Sequence, residues 1–210
     1  MSSIISPSFE QTLLCEMRSA WSILHANHPG ESFYSFGLFT SPGASYLTVT
    51  ASTEEGLTVV TADYVRRYGG GAKLQRQSLR WSPVDSPLHD EGARLLAGAQ
   101  AIRDTMPDPY GDHPDAEEAT LEVFDVATQV LQKLEAERLF GGGRDRNRLV
   151  VGIWMGDQSH EDRIDFATPL NPRPVINRFR REMAEGLDAF KKLSKQRMEP
   201  ALHSVRADGL

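Results

Sequence analysis

The chain has 210 residues, 40% of them hydrophobic and 25% charged, with a net charge of −6; a chain this long can bury roughly 70% of its unfolded surface in one domain without a metal or disulfide staple. The acidic balance speaks against nucleic-acid or anionic-membrane binding as a main role. Cys15 is the only cysteine, so no intramolecular disulfide forms and a reducing, cytoplasmic compartment is expected. Met1 to Pro7 has no basic segment leading into an apolar run, and nothing approaches 18 consecutive apolar residues, so neither a signal peptide nor a membrane span is expected.

In chain order, Ser8 and Gln11 suit a capping box opening a helix over Phe9 to Ala26, with Leu14, Met17, Trp21 and Leu24 at core spacing. His28-Pro29-Gly30 ends it. Phe33 to Phe39 reads as a strand, Ser41-Pro42-Gly43 turns the chain, and Tyr46 to Ala51 follows at hairpin distance. Thr53-Glu54-Glu55 opens a helix to Tyr68, stopped by Gly69-Gly70-Gly71. Leu74 to Trp81 reads as a third strand ending at Ser82-Pro83, with Trp81 buried. A helix over Glu91 to Thr105 and a loop from Met106 to Pro114 come next. Asp115 is placed as the cap of a long helix to Phe140, with Leu121, Phe124, Leu131 and Leu134 inward. Leu149 to Met155 is an apolar, central strand, and Ile164 to Ala167 a further short strand. Asn171-Pro172 starts a last helix with Val175, Phe179, Met183, Leu187 and Phe190 inward, and from Gln196 a frayed tail is expected. This order lacks regular strand–helix alternation. It predicts an α+β fold, a mixed, mostly antiparallel sheet with helices packed on it, forming a single domain over 1–195 with a tail over 196–210.

No catalytic motif emerges, and the catalytic residues stay unknown. Gly69-Gly70-Gly71-Ala72-Lys73 lacks the glycine before the lysine and the Ser or Thr after it that a phosphate loop needs. His25 and His28 lack the further ligands of a zinc site, and His160-Glu161-Asp162 with Asp157 reads as a solvated loop. No metal and no cofactor are therefore expected. Cys15 lies beside the apolar stripe of the first helix, which predicts an inert, partly buried thiol, and no serine sits in a G-x-S-x-G elbow. Glu54-Glu55 and Glu117-Glu118 are helix-start pairs whose charge suits the helix dipole.

Charge is unevenly divided. Asp104 to Gln132 holds eight acidic residues and no Lys or Arg, whereas Arg173 to Arg206 holds nine basic residues against four acidic ones. The acidic stretch offers a surface for a basic protein partner through Asp108, Tyr110, Asp112, Glu117 and Glu118; the plainer alternative is a solvated face. The basic segment either binds phosphate or pairs with the acidic one within the molecule.

Several segments in this order resemble a bacterial family known as domain of unknown function 4303: Phe33 to Phe39, Ser52-Thr53-Glu54-Glu55-Gly56, Leu79-Arg80-Trp81-Ser82-Pro83, Phe140-Gly141, Val150-Val151-Gly152-Ile153 and Leu170-Asn171-Pro172. They span about Thr12 to Met183. Ser52 stands where the resemblance implies an asparagine, at an expected helix cap. The resemblance brings no catalytic residues. It leaves a protein-binding module, concretely an immunity-type protein that occludes a bacterial toxin, as the first expectation. A hydrolase-like enzyme with a site assembled from scattered residues is the alternative.

Overall fold

The computed structural model describes residues 7–207, with side chains described as far as 197. Three strands form one sheet of order β2-β1-β3: β1 (Phe33–Thr40) pairs antiparallel with β2 (Leu47–Thr53) and parallel with β3 (Val150–Met155). Side-chain alternation along a strand feeds two separate cores. Phe36 and Leu38 of β1, Val49 and Ala51 of β2, and Val151 and Ile153 of β3 share one core with Leu13, Met17 and Trp21 of α1 (Pro7–Asn27) and Val123, Val130 and Leu131 of α6 (Ala116–Ala136). Phe39, Val150 and Trp154 point the other way, into a core with Leu57 of α2 (Glu54–Tyr68), Leu79 of α3 (Ala72–Leu79), Ala167 of α8 (His160–Ala167) and Phe179 of α9 (Arg173–Ala207). Helices on both faces leave all three strands almost wholly buried, which explains the unbroken apolar run of β3, while β1 and β2 bury small Ser and Thr side chains among their apolar ones. The fold is α+β, as the order of elements predicts, with one antiparallel and one parallel strand pair.

Two local devices set the helix ends. Thr53 Oγ1 accepts from the Gly56 N–H at 3.1 Å and caps α2. Ser52, the residue that departs from the expected asparagine, is instead a buried β2 residue. The start of α5 (Ala97–Arg103) has no side-chain cap of its own; the Glu16 carboxylate of α1 reaches across and accepts from Gly98 N–H at 2.8 Å and Ala99 N–H at 2.9 Å.

Several expectations are corrected. Leu74 to Trp81 is helix α3: Ala72, Lys73, Gln75, Arg76 and Gln77 lower the cost of a helix, and Gln75 and Leu79, one turn apart, are its buried face. Ile164 to Ala167 belongs to α8, and His160-Glu161-Asp162 is that helix's first turn; Ser159 Oγ accepts from Asp162 N–H at 3.0 Å. The single helix over Glu91 to Thr105 divides into α4 (Leu88–Gly92) and α5, because Leu96 leaves helical geometry (φ −119°, ψ 32°) as it enters the core. Asp115 stands at the N-cap of α6 without a side-chain cap bond, and that helix ends at Ala136 rather than Phe140. Leu121 is 59% exposed and Phe190 60% exposed, since the buried stripes run through Ala119–Val123–Ala127 and Met183–Ala189–Leu193. Helix α1 begins at Pro7, so Ser8 lies inside its first turn. Strand β3 lies at the edge of the sheet, not at its centre. The tail expected from Gln196 falls mostly beyond the described side chains.

The outer rim of β3 is held by a side chain. Asn171 Oδ1 accepts from Val151 N–H at 2.9 Å, and Nδ2 donates to the carbonyls of Val151 at 2.6 Å and Ala167 at 2.7 Å. Arg146 of the short helix α7 (Gly143–Arg146), 4% exposed, donates to Asn171 Oδ1 at 3.1 Å, to the Leu149 and Leu170 carbonyls and to Glu135 Oε2. On the opposite rim, Leu47 N–H donates to Gln100 Oε1 at 2.6 Å and Ser86 Oγ to the Ala51 carbonyl at 2.6 Å. Asn171→Ala strands the Val151 N–H and carbonyl together. It is expected to cost about 2–4 kcal/mol, since each buried polar group left unpaired costs roughly 1–3 kcal/mol; a urea midpoint equal to wild type would contradict this account of the β3 rim.

Candidate functional site

The acidic segment folds as the connection between α5 and α6 together with the first turns of α6. Asp108, Tyr110, Asp112, Asp115, Glu117 and Glu118 are all exposed, Tyr110 at 69%. Among the described residues none of the five carboxylates forms a salt bridge to Lys or Arg; the one ion pair on this ridge joins His113 and Asp115 at 3.9 Å. On α9, Arg178 meets Glu182 at 3.7 Å and Arg181 meets Glu185 at 3.9 Å, and no described Lys or Arg of this helix forms a salt bridge to the ridge. Of the two roles expected for the basic segment, pairing with the acidic one is thus not formed among the described residues.

Beneath the ridge sits a buried arginine. Arg103 is 3% exposed, and its guanidinium donates to the carbonyls of Ala44 at 2.8 Å, Pro107 at 3.2 Å and Gly43 at 3.4 Å. It therefore ties the acidic connection to the β1–β2 turn. Burial holds its pKa below the usual arginine value, against the opposing pull of Asp104 and Asp108. Thr120 Oγ1 also donates to the Gly43 carbonyl at 3.3 Å, bringing α6 to the same point. Gly43 has to be small there: a Cβ would lie 2.8 Å from Pro109 Cβ and 3.1 Å from the Tyr110 ring. Asp108 Oδ1 accepts from Tyr110 N–H at 3.0 Å, closing the local turn. The ridge is thus a fixed surface, with its charges outward over a hydrogen-bonded base.

Apolar side chains stand among these charges. Tyr46 is 42% exposed on the neighbouring turn; burial raises its pKa, and Tyr110 and Asp157 add to the rise, which places all three near one another. Leu121 lies one turn along α6 from Glu117 and Glu118. The Tyr110 phenol is drawn below its ordinary pKa, chiefly by the Ser41 hydroxyl. A surface of tyrosine and leucine rimmed by carboxylates has the make-up of a protein-recognition patch.

The other candidate groups do not converge. His28 is occupied by Glu91 at 2.7 Å and Glu31 at 3.3 Å, while His25 stacks on Phe33 with ring centroids 4.2 Å apart, so the two histidines do not share a ligand position. Among the described residues no group of three His, Cys, Asp or Glu side chains is gathered as a metal site would require. Cys15 is exposed rather than partly buried, because it sits on the face of α1 away from the core, and its sulfur accepts from Gln11 Nε2 at 3.4 Å. Thr50 Oγ1 and His89 Nδ1 approach to 3.2 Å, but Thr50 is 1% exposed in β2, out of reach of a substrate. No described helix is long and apolar enough to cross a membrane. Charge density made the ridge readable in the sequence; Arg103, which shapes it, gave no signal there, because two of its three carbonyl partners lie some sixty positions away.

The family model described as "Domain of unknown function (DUF4303)" matches residues 14–172, about three-quarters of the chain. No curated protein and no solved structure matches it.

Proposed function

The chain belongs to the domain of unknown function 4303 family, and from that premise we propose that it is a protein-binding module whose acidic ridge receives a basic protein partner. One observation carries this reading: five exposed carboxylates, without a Lys or Arg salt-bridge partner among the described residues, are mounted on a connection fixed from below by Arg103. Unpaired charge on a preformed surface accelerates encounter with an opposite charge and loses little entropy on docking. Tyr110, Tyr46 and Leu121 supply the apolar contacts that slow dissociation. In its most concrete form the module is an immunity-type protein, in the cytoplasm of a bacterium, that occludes a basic toxin. A hydrolase has less support, because the hydroxyl–imidazole contact of Thr50 and His89 is buried.

The test is a triple reversal, Asp108→Lys, Asp112→Lys and Glu118→Lys. Folding should be nearly unchanged, since exposed charges contribute about 0–1 kcal/mol each. A partner captured by the wild-type protein should associate with the variant about tenfold or more slowly at low salt, and the difference should shrink as salt shortens the Debye length to about 8–10 Å. Reversal of Glu161 and Asp165, exposed on α8, serves as the control. Equal association rates for wild type and the ridge variant at low salt would sink the reading.

A further inference from the structure

Among the described residues, two half-buried arginines, Arg163 and Arg178, carry a buried Nε without a hydrogen-bond partner, and of these only Arg178 has a carboxylate beside it, Glu182 at 3.7 Å. The other arginines set back from solvent are better provided for. Arg80 pairs with Glu54 at 2.7 Å and Glu182 at 2.9 Å, Arg146 with Glu135 at 2.6 Å, and Arg103 spends its guanidinium on three carbonyls. Arg163, on the first turn of α8, has no carboxylate within salt-bridge reach among the described residues. It makes one hydrogen bond, from Nη1 to the Trp81 carbonyl at 2.6 Å, and its buried Nε has no partner. Burial alone holds its pKa below the usual arginine value. A cation left in this state at the wall of a cavity calls for an anion.

Such a cavity is there, about 270 Å³, close to the lower end of the roughly 300–1,000 Å³ typical of ligand pockets. The end of α3 and the turn after it, the first turn of α8, and one face of α9 enclose it. Arg163 supplies its charge and His160 a polar ring, and Trp81, Met183, Leu187 and Phe190 most of its apolar wall; no carboxylate lines it. His160 is held below its ordinary pKa, by burial first and then by Arg163 and Lys191, so it stands in the pocket as a neutral imidazole and leaves Arg163 as the one cation of the lining. Phe190, 60% exposed, lines the pocket and belongs to neither buried core among the described residues.

We propose that this pocket binds a small organic monocarboxylate bearing an apolar or aromatic group, with the carboxylate on Arg163 and the apolar group against Trp81, Met183 and Phe190. A monoanion suits the site better than a phosphate: one guanidinium faces a mostly apolar wall, and a second negative charge would stand there unpaired. The inference is independent of the acidic ridge, which involves other elements.

The experiment titrates the full chain with benzoate, 3-phenylpropanoate and hexanoate by calorimetry, with acetate and 3-phenylpropanamide as probes lacking the apolar group and the charge. At least one of the three carboxylates is expected to saturate the protein below about 10 mM, with acetate and the amide at least about tenfold weaker. Arg163→Gln should weaken binding about tenfold to a hundredfold. Phe190→Asp, at an exposed position that leaves folding intact, should weaken it by a similar factor through a like charge at the rim. Absence of saturable binding by all three carboxylates, an amide as tight as its acid, or unchanged affinity in Phe190→Asp would each overturn the assignment.

Discussion

Gly37→Ala is expected to abolish the folded protein. Gly37 lies at the middle of β1, paired directly with Gly152 of β3. A Cβ at Gly37 would fall well inside van der Waals contact of the Gly152 carbonyl oxygen, which is backbone and cannot swing aside. The Trp154 indole occupies the space that both missing side chains leave: a Cβ on Gly152 would lie 2.5 Å from Trp154 Cζ2, and one on Gly37 would lie 3.0 Å from Trp154 Nε1. The added methyl therefore parts β1 from β3 and lifts a tryptophan that is 3% exposed out of the second core. A cost above about 4 kcal/mol is expected, comparable with the whole stability of a domain, about 5–15 kcal/mol. Gly156→Ala, where nothing lies within 4 Å, should be close to neutral. Circular dichroism and urea titration of the two variants decide it: a wild-type midpoint for Gly37→Ala would refute the close approach of β1 and β3.

Trp81→Ala should destabilise by about 3–5 kcal/mol, the usual loss for a large buried aromatic side chain. Trp81 is 8% exposed at the end of α3, edge-on to Tyr34 at 5.3 Å and to Phe179 at 4.6 Å. Arg80 lies 4.4 Å from the Tyr34 ring centroid and 5.5 Å from that of Trp81. Its bonds to Glu54 and Glu182 join the start of α2 to α9, so loss of the indole loosens this junction too. Burial pushes the Glu54 carboxyl up, yet Arg80 and Arg76 outweigh it and hold the pKa below the usual value. Trp81→Phe separates packing from polarity. The indole N–H has no hydrogen-bond partner, so the phenyl ring forfeits no bond and should cost about 1–2 kcal/mol less than alanine. Thermal melts of both variants test the pair, and an unchanged melting temperature in Trp81→Ala would remove Trp81 from the core.

The two readings of the chain agree where local signals and burial coincide. Phe33 to Phe39 and Leu149 to Met155 were legible as strands because both of their faces are buried, which forces an apolar run. Thr53-Glu54-Glu55 was legible as a helix start because the cap bond is local. Leu74 to Trp81 and Ile164 to Ala167 resemble strands in sequence for a common reason. Each is a helix of eight residues, too short for a 3.6-residue period to stand out from alternation. Leu121 and Phe190 carry an inward signal in sequence yet face solvent, because periodicity names a stripe without saying which of two adjacent stripes is buried. Of the candidate sites, the ridge was visible as a run of like charge. Arg103 and Arg163 were not, since a buried arginine is recognised by what surrounds it, and its surroundings are remote in sequence.

The side chains along the two rims of the sheet restrict how this protein can meet another. A partner that donated a strand would have to bond the outward amides and carbonyls of β2 or β3. Asn171 already engages both backbone groups of Val151, and Gln100 and Ser86 engage Leu47 and Ala51. Growth of the sheet from one molecule into the next is therefore closed on either side, which protects against fibre-like assembly and removes strand addition as a mode of recognition. Complexes of this protein should form through helices, turns and side chains, with each partner's own sheet left as it was.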